Sequence, residues 1–387
     1  MNQGKDSPLA PLVAISRRYG ADPEWVLAGG GNTSFKTADR LFVKASGFPL
    51  GAIDRSGFCE MERAKLDAIW EKRYPADTAA REDAALADLM AARAPGETKR
   101  PSVETLLHGF FPQAYVVHTH PAAVNGLTCG RDGESAFRRL FGDEGIWVPF
   151  VDPGYTLAKT VRGIFEEFRA KKGRAPSIML MQNHGLLVAG ETPADIEAIS
   201  ASISARLDAE IALSEGARPD QRSEAVDASA ASDFFTALEG LAGEHSFVFH
   251  RADRMILGFS ASPASFEPIS LPYSPDHIVY AGHEYLRVDG AANLDAAWAD
   301  FRKRNGYSPR VVLARDLGAF AIGAASRPDE SAAARMAAER VLDLFVDSCK
   351  VATYTKAFGG PRFMSPEAVA FIRNWEVEKY RSSLAAR

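Results

Sequence analysis

The sequence predicts a two-domain α/β protein, and three observations carry this prediction. The chain has 387 residues, more than most single domains contain. Strand-like apolar runs alternate with amphipathic helical segments through the first half of the chain. A polar stretch of small residues then precedes a second series of strands and helices. We therefore predict a first domain over residues 1–216, a linker over 217–233 and a smaller α/β domain over 234–387.

The elements of the first domain follow from hydrophobic period and turn residues. Helices are predicted over residues 10–19, twice within 60–93, from 105, over 157–171 and from 193 to about 215. Strands are predicted at 32–36, 41–44, 115–120, 147–151 and 177–182. Ser102 is the expected N-cap of the helix that begins near Thr105, with Glu104 in its first turn.

The second domain repeats the mixture of short strands and helices. Strands are predicted at 246–250, 254–259, 280–288, 310–314 and 320–322, followed by a helix over 332–346. This part of the sequence shows no obvious catalytic cluster, and no internal repeat is apparent anywhere in the chain.

Composition excludes several classes of function. The net charge of −5, with mixed signs, gives no basic field for nucleic acid. No apolar run approaches the roughly 20 residues of a membrane helix, and the first residues lack the apolar core of a signal peptide. The three cysteines are widely spaced, which indicates a reducing compartment and no thiolate zinc site. We predict a soluble cytoplasmic protein.

Three histidines form the candidate metal site. His118 and His120 lie two apart on a predicted strand, so they face the same side, roughly 7 Å apart along the chain. His184 follows another apolar strand and precedes Gly185. Core histidines are the common alternative, but burying two imidazoles without partners is costly, and Pro121 places the pair at a strand end. Three such ligands leave one coordination position open, as in catalytic zinc sites.

Glu104 is the candidate base. Taken alone, a carboxylate at the start of a helix is favoured by the helix dipole and needs no further role. Beside a metal-bound substrate, the same carboxylate can abstract a proton that the ion has acidified.

The segment Gly29–Ser34 is the candidate anion loop. It lacks the third glycine of a dinucleotide fingerprint and leads into a strand, so a dinucleotide site is not predicted. Backbone N–H groups and short polar side chains can instead hold a phosphate, although plain turns are an equal alternative. The candidate binding residues are Gly31, Asn32, Thr33, Ser46, Gly47 and Ser102.

Six motifs in order resemble the class II aldolase/adducin superfamily over residues 10–215. They are Gly-Gly-Asn-Thr-Ser (30–34), Lys-Ala-Ser-Gly (44–47), Pro-Ser-Val-Glu-Thr-Leu-Leu-His (101–108), His-Thr-His-Pro (118–121), Val-Pro-Phe (148–150) and Asn-His-Gly (183–185). The chain most resembles the aldolase half of bacterial bifunctional rhamnulose-1-phosphate aldolase/lactaldehyde dehydrogenases. Residues 274–277 and 316–323 resemble the second domain of those proteins more loosely.

The resemblance implies a three-layer αβα N-terminal domain and a homotetramer whose sites lie between subunits. It implies that His118, His120 and His184 bind Zn²⁺ or another divalent metal and that Glu104 is the acid/base. Asn32, Ser46, Gly47 and Ser102 would hold the phosphate of a ketose phosphate. The implied reaction is retro-aldol cleavage of a ketose 1-phosphate, such as rhamnulose 1-phosphate, through an ene-diolate.

Two positions depart from the family pattern. Phe150 stands where many family aldolases have a proton-donating tyrosine, and Tyr155 is the nearby candidate for that role. Val103 replaces a second serine beside Ser102, so the substrate can also be an unphosphorylated sugar. The alternatives are an epimerase or decarboxylase acting on a sugar acid phosphate, and an adducin-like binding module. The module is disfavoured because a scaffold has no need of three histidines and Glu104.

Overall fold

A computed structural model describes residues 9–325 and 327–374 of the chain. These residues fall into two compact units. The first contains the residues up to Val124 together with Glu134–Ala209, and the second contains Asn125–Gly133 together with the residues from Glu210 onward. The first eight residues, on which the expectation of no signal peptide depends, lie outside the described part. None of the described helices is both long and apolar enough to cross a membrane.

The first unit is built on a seven-stranded sheet. The strands are β1 Asn32–Lys36, β2 Arg40–Lys44, β3 Phe58–Glu62, β4 Tyr115–Thr119, β5 Gly145–Val148, β6 Ile178–Met181 and β7 Gly185–Gly190. Their order across the sheet is β3-β2-β1-β4-β7-β6-β5, and all neighbours are antiparallel except β5 and β6, which are parallel. This mixed α/β architecture confirms the predicted fold class.

Helices precede, separate and follow these strands along the chain. They are α1 Ala10–Gly20, α2 Arg63–Ile69, α3 Thr78–Ala91, α4 Thr105–Phe110, α5 Ala122–Thr128, α6 Gly133–Phe141, α7 Tyr155–Lys172 and α8 Pro193–Ala212. Glu82 of α3 accepts hydrogen bonds from the backbone N–H groups of Tyr155 and Thr156, at 2.7 and 3.1 Å. A carboxylate there satisfies free N–H groups at the start of α7 and favours the helix dipole.

Two strands of this sheet are absent from the sequence prediction. Residues 58–62 pair with β2 rather than forming a helix, because Phe58, Cys59 and Met61 are buried in the core of the unit. Every residue of β7 is buried, so the strand lacks the alternation by which a half-exposed strand is recognised. Among the predicted strands, the one at 147–151 ends earlier, at Val148.

The second unit has a four-stranded sheet. Its strands are β8 Phe247–Arg251, β9 Leu286–Val288, β10 Val311–Ala314 and β11 Gly318–Gly323, and their order across the sheet is β8-β11-β10-β9. Its helices are α9 Ala228–Ala242, α10 Arg254–Ser260, α11 Pro263–Phe266, α12 Leu294–Asn305, α13 Ser331–Tyr354 and α14 Pro366–Asn374, with a π-helix at His277–Ala281. The core packs Phe234 and Leu238 of α9 against Trp298, Phe301 and the sheet.

Three sequence predictions in this region were wrong. Residues 254–259 form helix α10, not a strand, because the Asp253 carboxylate caps the helix by accepting the Ile256 N–H at 2.9 Å. Of residues 280–288, only the last three form a strand. Helix α9 begins at Ala228, inside the predicted linker, where Asp227 caps it through the Ala230 N–H at 3.0 Å.

Candidate metal centre

His118 lies at the end of β4, where its ring is held in one orientation. The Nδ1 atom is 2.8 Å from the carbonyl oxygen of Leu186 on the neighbouring strand β7. A carbonyl can only accept, so Nδ1 carries a proton, and Nε2 is the ring nitrogen that faces the other histidines. A hydrogen bond from the other ring nitrogen is the usual support of a metal-binding imidazole. His118 is thus prepared to bind an ion through Nε2.

His184 is positioned by the tight turn between β6 and β7. Asn183 adopts a left-handed conformation with φ of 54°, and the His184 N–H bonds to the Met181 carbonyl at 3.2 Å. The next residue, Gly185, lies against the end of β4. A Cβ there would stand 2.5 Å from Cδ2 of His120 and 2.6 Å from the carbonyl oxygen of Thr119. The close approach that only glycine permits brings His184 to the other two histidines.

The three rings meet around one point. Their centroids are 4.7 to 5.4 Å apart, and one nitrogen of each lies within 4.8 Å of those of the other two. The Nε2 atoms of His118 and His120 are 2.9 Å apart. A tetrahedral zinc ion with its usual Zn–N bonds separates its ligand nitrogens by about 3.3 Å. The donor set therefore fits a divalent ion, and the three predicted ligands are brought together.

Glu104 points its carboxylate at the same cluster. Its Oε1 lies 3.3 Å from Nε2 of His118 and 3.0 Å from Nε2 of His184. Burial raises the pKa of this carboxyl, but the charges and hydrogen bonds of His118 and His184 outweigh burial and hold it well below its usual range. The carboxylate is ionised, as a base must be.

A buried chain of hydrogen bonds supports Glu104 from behind. Nδ2 of Asn32 donates to Oε2 of Glu104 at 2.5 Å, and Oδ1 of Asn32 meets Nε2 of His108. Nδ1 of His108 is 2.8 Å from the Ser34 hydroxyl. Since the Asn32 oxygen can only accept, Nε2 of His108 carries the proton and Ser34 donates to Nδ1. Burial lowers the pKa of His108 to about 3, which keeps this ring neutral.

His108 is a residue of the candidate site that sequence reasoning missed. It belongs to the 101–108 motif, but a single histidine in a helix carries no sign of its partners. The only available signal was its spacing of one helical turn after Glu104, which places both on one face of α4.

The two faces of β1 divide the predicted loop residues. Asn32 and Ser34 point to the Glu104 side, whereas the Thr33 hydroxyl is fully buried against Ser16 of α1 at 2.6 Å. The alternation of strand side chains therefore removes the Thr33 side chain from the site, contrary to its predicted role. Gly31 has a φ of 64°, and a Cβ there would lie 2.9 Å from the His118 carbonyl oxygen.

The other two predicted loops are neighbours. The Ser46 N–H bonds to the Arg100 carbonyl at 2.8 Å, and the Ser102 N–H bonds to the Lys44 carbonyl at 3.1 Å. Ser102 does not cap α4: Glu104 holds the N-cap position, and its N–H donates to the Ser102 hydroxyl at 3.3 Å. Gly47, with a φ of 89°, completes the turn after Ser46. Ser46 and Ser102 thus lie side by side, although 56 positions separate them in the sequence.

Tyr155 packs in the core at the start of α7. Its side chain is buried, and its ring lies 4.7 Å from that of Tyr74 and 6.0 Å from that of Trp70. Burial raises the pKa of its phenol. These contacts are those of a packing residue. Phe150 follows β5 and is partly exposed.

The fold and the site together define a class: an α/β protein with a three-histidine candidate metal centre and an ionised carboxylate beside it. Residues 10–211 match the family described as the Class II Aldolase and Adducin N-terminal domain. This match spans more than half of the chain, and the chain belongs to that family.

The individual relatives match only part of this chain, and one of them matches over only part of its own length. The protein named "Uncharacterized oxidoreductase YuxG" of Bacillus subtilis (strain 168) is 33% identical over 192 residues, which are 47% of this chain and 26% of that protein. The chain thus spans about a quarter of the length of this curated relative.

Two solved structures are similar to the first part of the chain. The N-terminal class II aldolase domain of a conserved protein from Thermoplasma acidophilum is 30% identical, with a TM-score of 0.45, over 55% of this chain and 97% of that one. The L-fuculose-1-phosphate aldolase of Thermus thermophilus is 16% identical, with a TM-score of 0.34, over 53% and 94%.

Proposed function

We propose that this protein is a divalent-metal-dependent carbon–carbon lyase. Its substrate is a ketose 1-phosphate, such as rhamnulose 1-phosphate, which it cleaves to a dihydroxyacetone-phosphate-like product and an aldehyde. The observation that carries the proposal is the contact of the ionised Glu104 carboxylate with two of three converging imidazoles. Family membership supports a lyase. Zinc is the proposed metal because three imidazole nitrogens and an open position are its catalytic ligand set.

His118, His120 and His184 would hold the ion. When bound, a divalent ion polarises the carbonyl and hydroxyl oxygens of the sugar and stabilises the negative charge that cleavage leaves on carbon and oxygen. Glu104, held ionised beside this centre, exchanges the proton of that carbon: it removes the proton in the synthetic direction and returns it after cleavage. Asn32 keeps the carboxylate pointed at the centre.

The phosphate of the sugar is proposed to bind at the two neighbouring loops. Gly31 and Gly47 supply backbone N–H groups near β1 and β2, and the Ser102 hydroxyl accepts from the Glu104 N–H and so keeps its own hydrogen for donation. The Ser46 hydroxyl donates to the Pro101 carbonyl at 3.2 Å in the structure and would turn from it to the phosphate. Asn32 has one amide hydrogen left after its bond to Glu104, so it can serve both groups.

No phenol stands at position 150 to donate a proton to the aldehyde oxygen, because this residue is Phe150. Tyr155 was the predicted substitute, but its packing against Tyr74 and Trp70 favours a structural role. We therefore place the proposed proton chemistry on Glu104. An epimerase or decarboxylase would use the same centre and the same base, and product analysis separates these reactions from cleavage.

The test combines metal analysis with proton exchange. Purified protein is expected to hold about one divalent ion per chain, and His118→Ala is expected to lose it, whereas the matched His250→Ala is not. Glu104→Gln keeps the shape of the side chain but not its basicity. It should retain the metal and lose exchange of the carbon-bound proton of dihydroxyacetone phosphate by at least about a hundredfold.

Two results would contradict the proposal. Exchange that persists in Glu104→Gln would place the base elsewhere. Wild-type protein with full metal but no aldehyde release from a panel of ketoses and ketose 1-phosphates would exclude the lyase while leaving the metal centre in place.

A further inference from the structure

The sheet of the second unit has the connectivity of half of the first. Its order, β8-β11-β10-β9, corresponds to β4-β7-β6-β5. In each set, the first two neighbouring pairs are antiparallel and the last pair is parallel. The helix after β4 and the helix after β8 both have seven residues and begin three positions after the strand ends.

The pairing registers of the two sheets are the same. In each hairpin the last residue of the first strand faces the glycine that begins the second, and the remaining pairs follow in step. The matching pairs are Met181–Gly185 and Ala314–Gly318, His118–Leu187 and His250–Phe320, Tyr115–Gly190 and Phe247–Gly323, and Val148–Met181 and Val288–Ala314.

The irregular backbone between the strands matches as well. Asn183 and Asp316 hold the same position in their turns, and both are left-handed, with φ of 54° and 62°. The residue after each donates its N–H back across the turn, at 3.2 Å from His184 and 3.1 Å from Leu317. Left-handed non-glycine residues are uncommon, and both turns carry at this position one of the residue types, Asn or Asp, that adopt the conformation most readily.

The shared register identifies the residues of the second unit that stand at the three candidate ligand positions. His250 corresponds to His118, Ala252 to His120 and Leu317 to His184. The remaining histidine is also turned differently: its Nε2 lies 2.7 Å from the Leu317 carbonyl, and its ring stacks on Phe320 with centroids 4.5 Å apart. In His118 the carbonyl bond uses Nδ1, and Nε2 faces His120 at 2.9 Å.

We propose that the second unit is an internal duplicate of the metal-binding half-sheet whose metal site has been lost. Two ligand positions now carry apolar residues, and the third directs its metal-binding nitrogen to a backbone carbonyl. Among the described residues the sheet ends at β8, so it has no equivalent of β1, which carries Asn32. This half-sheet therefore contributes no metal chemistry, and positions 250, 252 and 317 are a latent three-ligand site.

The test restores the two missing ligands. Ala252→His/Leu317→His places three histidines at the corresponding positions, and the protein is loaded with zinc and freed of excess by dialysis. Zinc per chain is expected to rise by about one ion over the wild type. Adding His250→Ala to this variant should reverse the gain, and Ala252→His alone should hold zinc more weakly than the double variant.

The measured quantity is the increase in zinc per chain over the wild type, not the total zinc content. This test therefore does not depend on the reaction proposed above or on the first site. Circular dichroism and a cooperative melt establish that the variant is folded. A folded double variant without the extra ion would overturn the proposed equivalence. If the double variant fails to fold, Leu317→His alone supplies two histidines with His250. With His118→Ala in both proteins, the Leu317→His chain should then bind Co²⁺ at least about tenfold more tightly than the chain that keeps Leu317, and equal affinity would overturn the proposal.

Discussion

At the scale of single residues, the amide of Asn32 links the Glu104 carboxylate to the buried interior. Its NH₂ group bonds to Glu104 and its oxygen faces His108, so the orientation of the amide is fixed at both ends. If the amide turned over, its oxygen would face the Glu104 carboxylate, and both would be acceptors. His108 thus determines how Asn32 presents its donor to Glu104 and acts as a positioning residue.

Substitution of His108 should separate positioning from folding. His108→Gln places an amide donor near the position of Nε2, so it should keep most of the proton exchange. His108→Ala should lower the rate constant of exchange by about 10- to 100-fold, in the range found when residues that orient a metal site are replaced, with little change in KM. Steady-state kinetics on both variants, together with their melting temperatures, provide the measurement. Equal losses in the two variants, tracking stability, would show that His108 only packs.

Lys36 is a second buried titratable residue of β1. Its side chain is buried and its Nζ donates to the Gln113 carbonyl at 2.6 Å. Burial, together with the nearby charge of Arg63, lowers the pKa of Lys36 to about 7, from its ordinary value of 10.5. Between these pH values the unfolded chain binds a proton that the folded chain does not. Because the pKa of Lys36 is depressed in the folded chain, Lys36 lowers the free energy of unfolding. This loss of stability is largest below pH 7 and disappears as the pH rises to about 10.5.

Lys36→Met should therefore be more stable than the wild type at pH 7, and its advantage should shrink as the pH rises. The difference in the free energy of unfolding between the two proteins should fall by at most roughly 1.4 kcal/mol per pH unit between about pH 7 and 10. Urea unfolding of both proteins across this range measures it, and the other titrating groups cancel in the comparison. A difference independent of pH would place the folded pKa of Lys36 near its ordinary value.

At the scale of elements, the turn between β6 and β7 completes the candidate metal centre. Its left-handed Asn183 and the close contact of Gly185 with the end of β4 bring His184 to the pair on that strand. The strands alone set the direction of His118 and His120, and the turn supplies the third ligand.

Gly185→Ala should damage both the fold and the centre. The added methyl would lie 2.5 Å from His120 and 2.6 Å from the Thr119 carbonyl, so the strands must separate. We expect a loss of about 1–3 kcal/mol in the free energy of unfolding, as for other overpacked sites, and at least about tenfold weaker metal binding. Gly163→Ala in α7 is the matched control: nothing lies within 4 Å of its added methyl, and it should be neutral or stabilising. Similar effects of the two substitutions would refute the role of the close contact.

At the scale of the whole molecule, the homotetramer implied by the family resemblance remains a prediction. Light scattering during size exclusion should give about four times the chain mass of 41.9 kDa. Sites between subunits would also make activity fall when the protein is diluted below the dissociation constant of the assembly. A monomeric mass with full activity would contradict this assembly.

Most of the first unit, and the convergence of the three candidate metal ligands, could be predicted from the sequence. Strand alternation placed His118 and His120 on one face, and the motif order supplied His184 and Glu104. Strands β3 and β7 could not be predicted in this way, because β7 is buried throughout and β3 adjoins a helical segment. The prediction for the Thr33 side chain is wrong because it treated residues 29–34 as a loop. Strand β1 begins at Asn32, so the side chains of Asn32 and Thr33 point to opposite faces of the sheet.

The sequence by itself determined which side chains are available to bind a metal and which face of a strand they occupy, because residue type and hydrophobic period are local properties of the chain. Only the tertiary structure decided which groups meet. The Asn32–His108–Ser34 chain joins β1 to α4 across more than 70 positions, and such contacts leave no local pattern. The proposed duplication was likewise invisible in the sequence. Its shared register is held by backbone hydrogen bonds, which almost any side chain permits, whereas the ligands that would have revealed it are gone from positions 252 and 317.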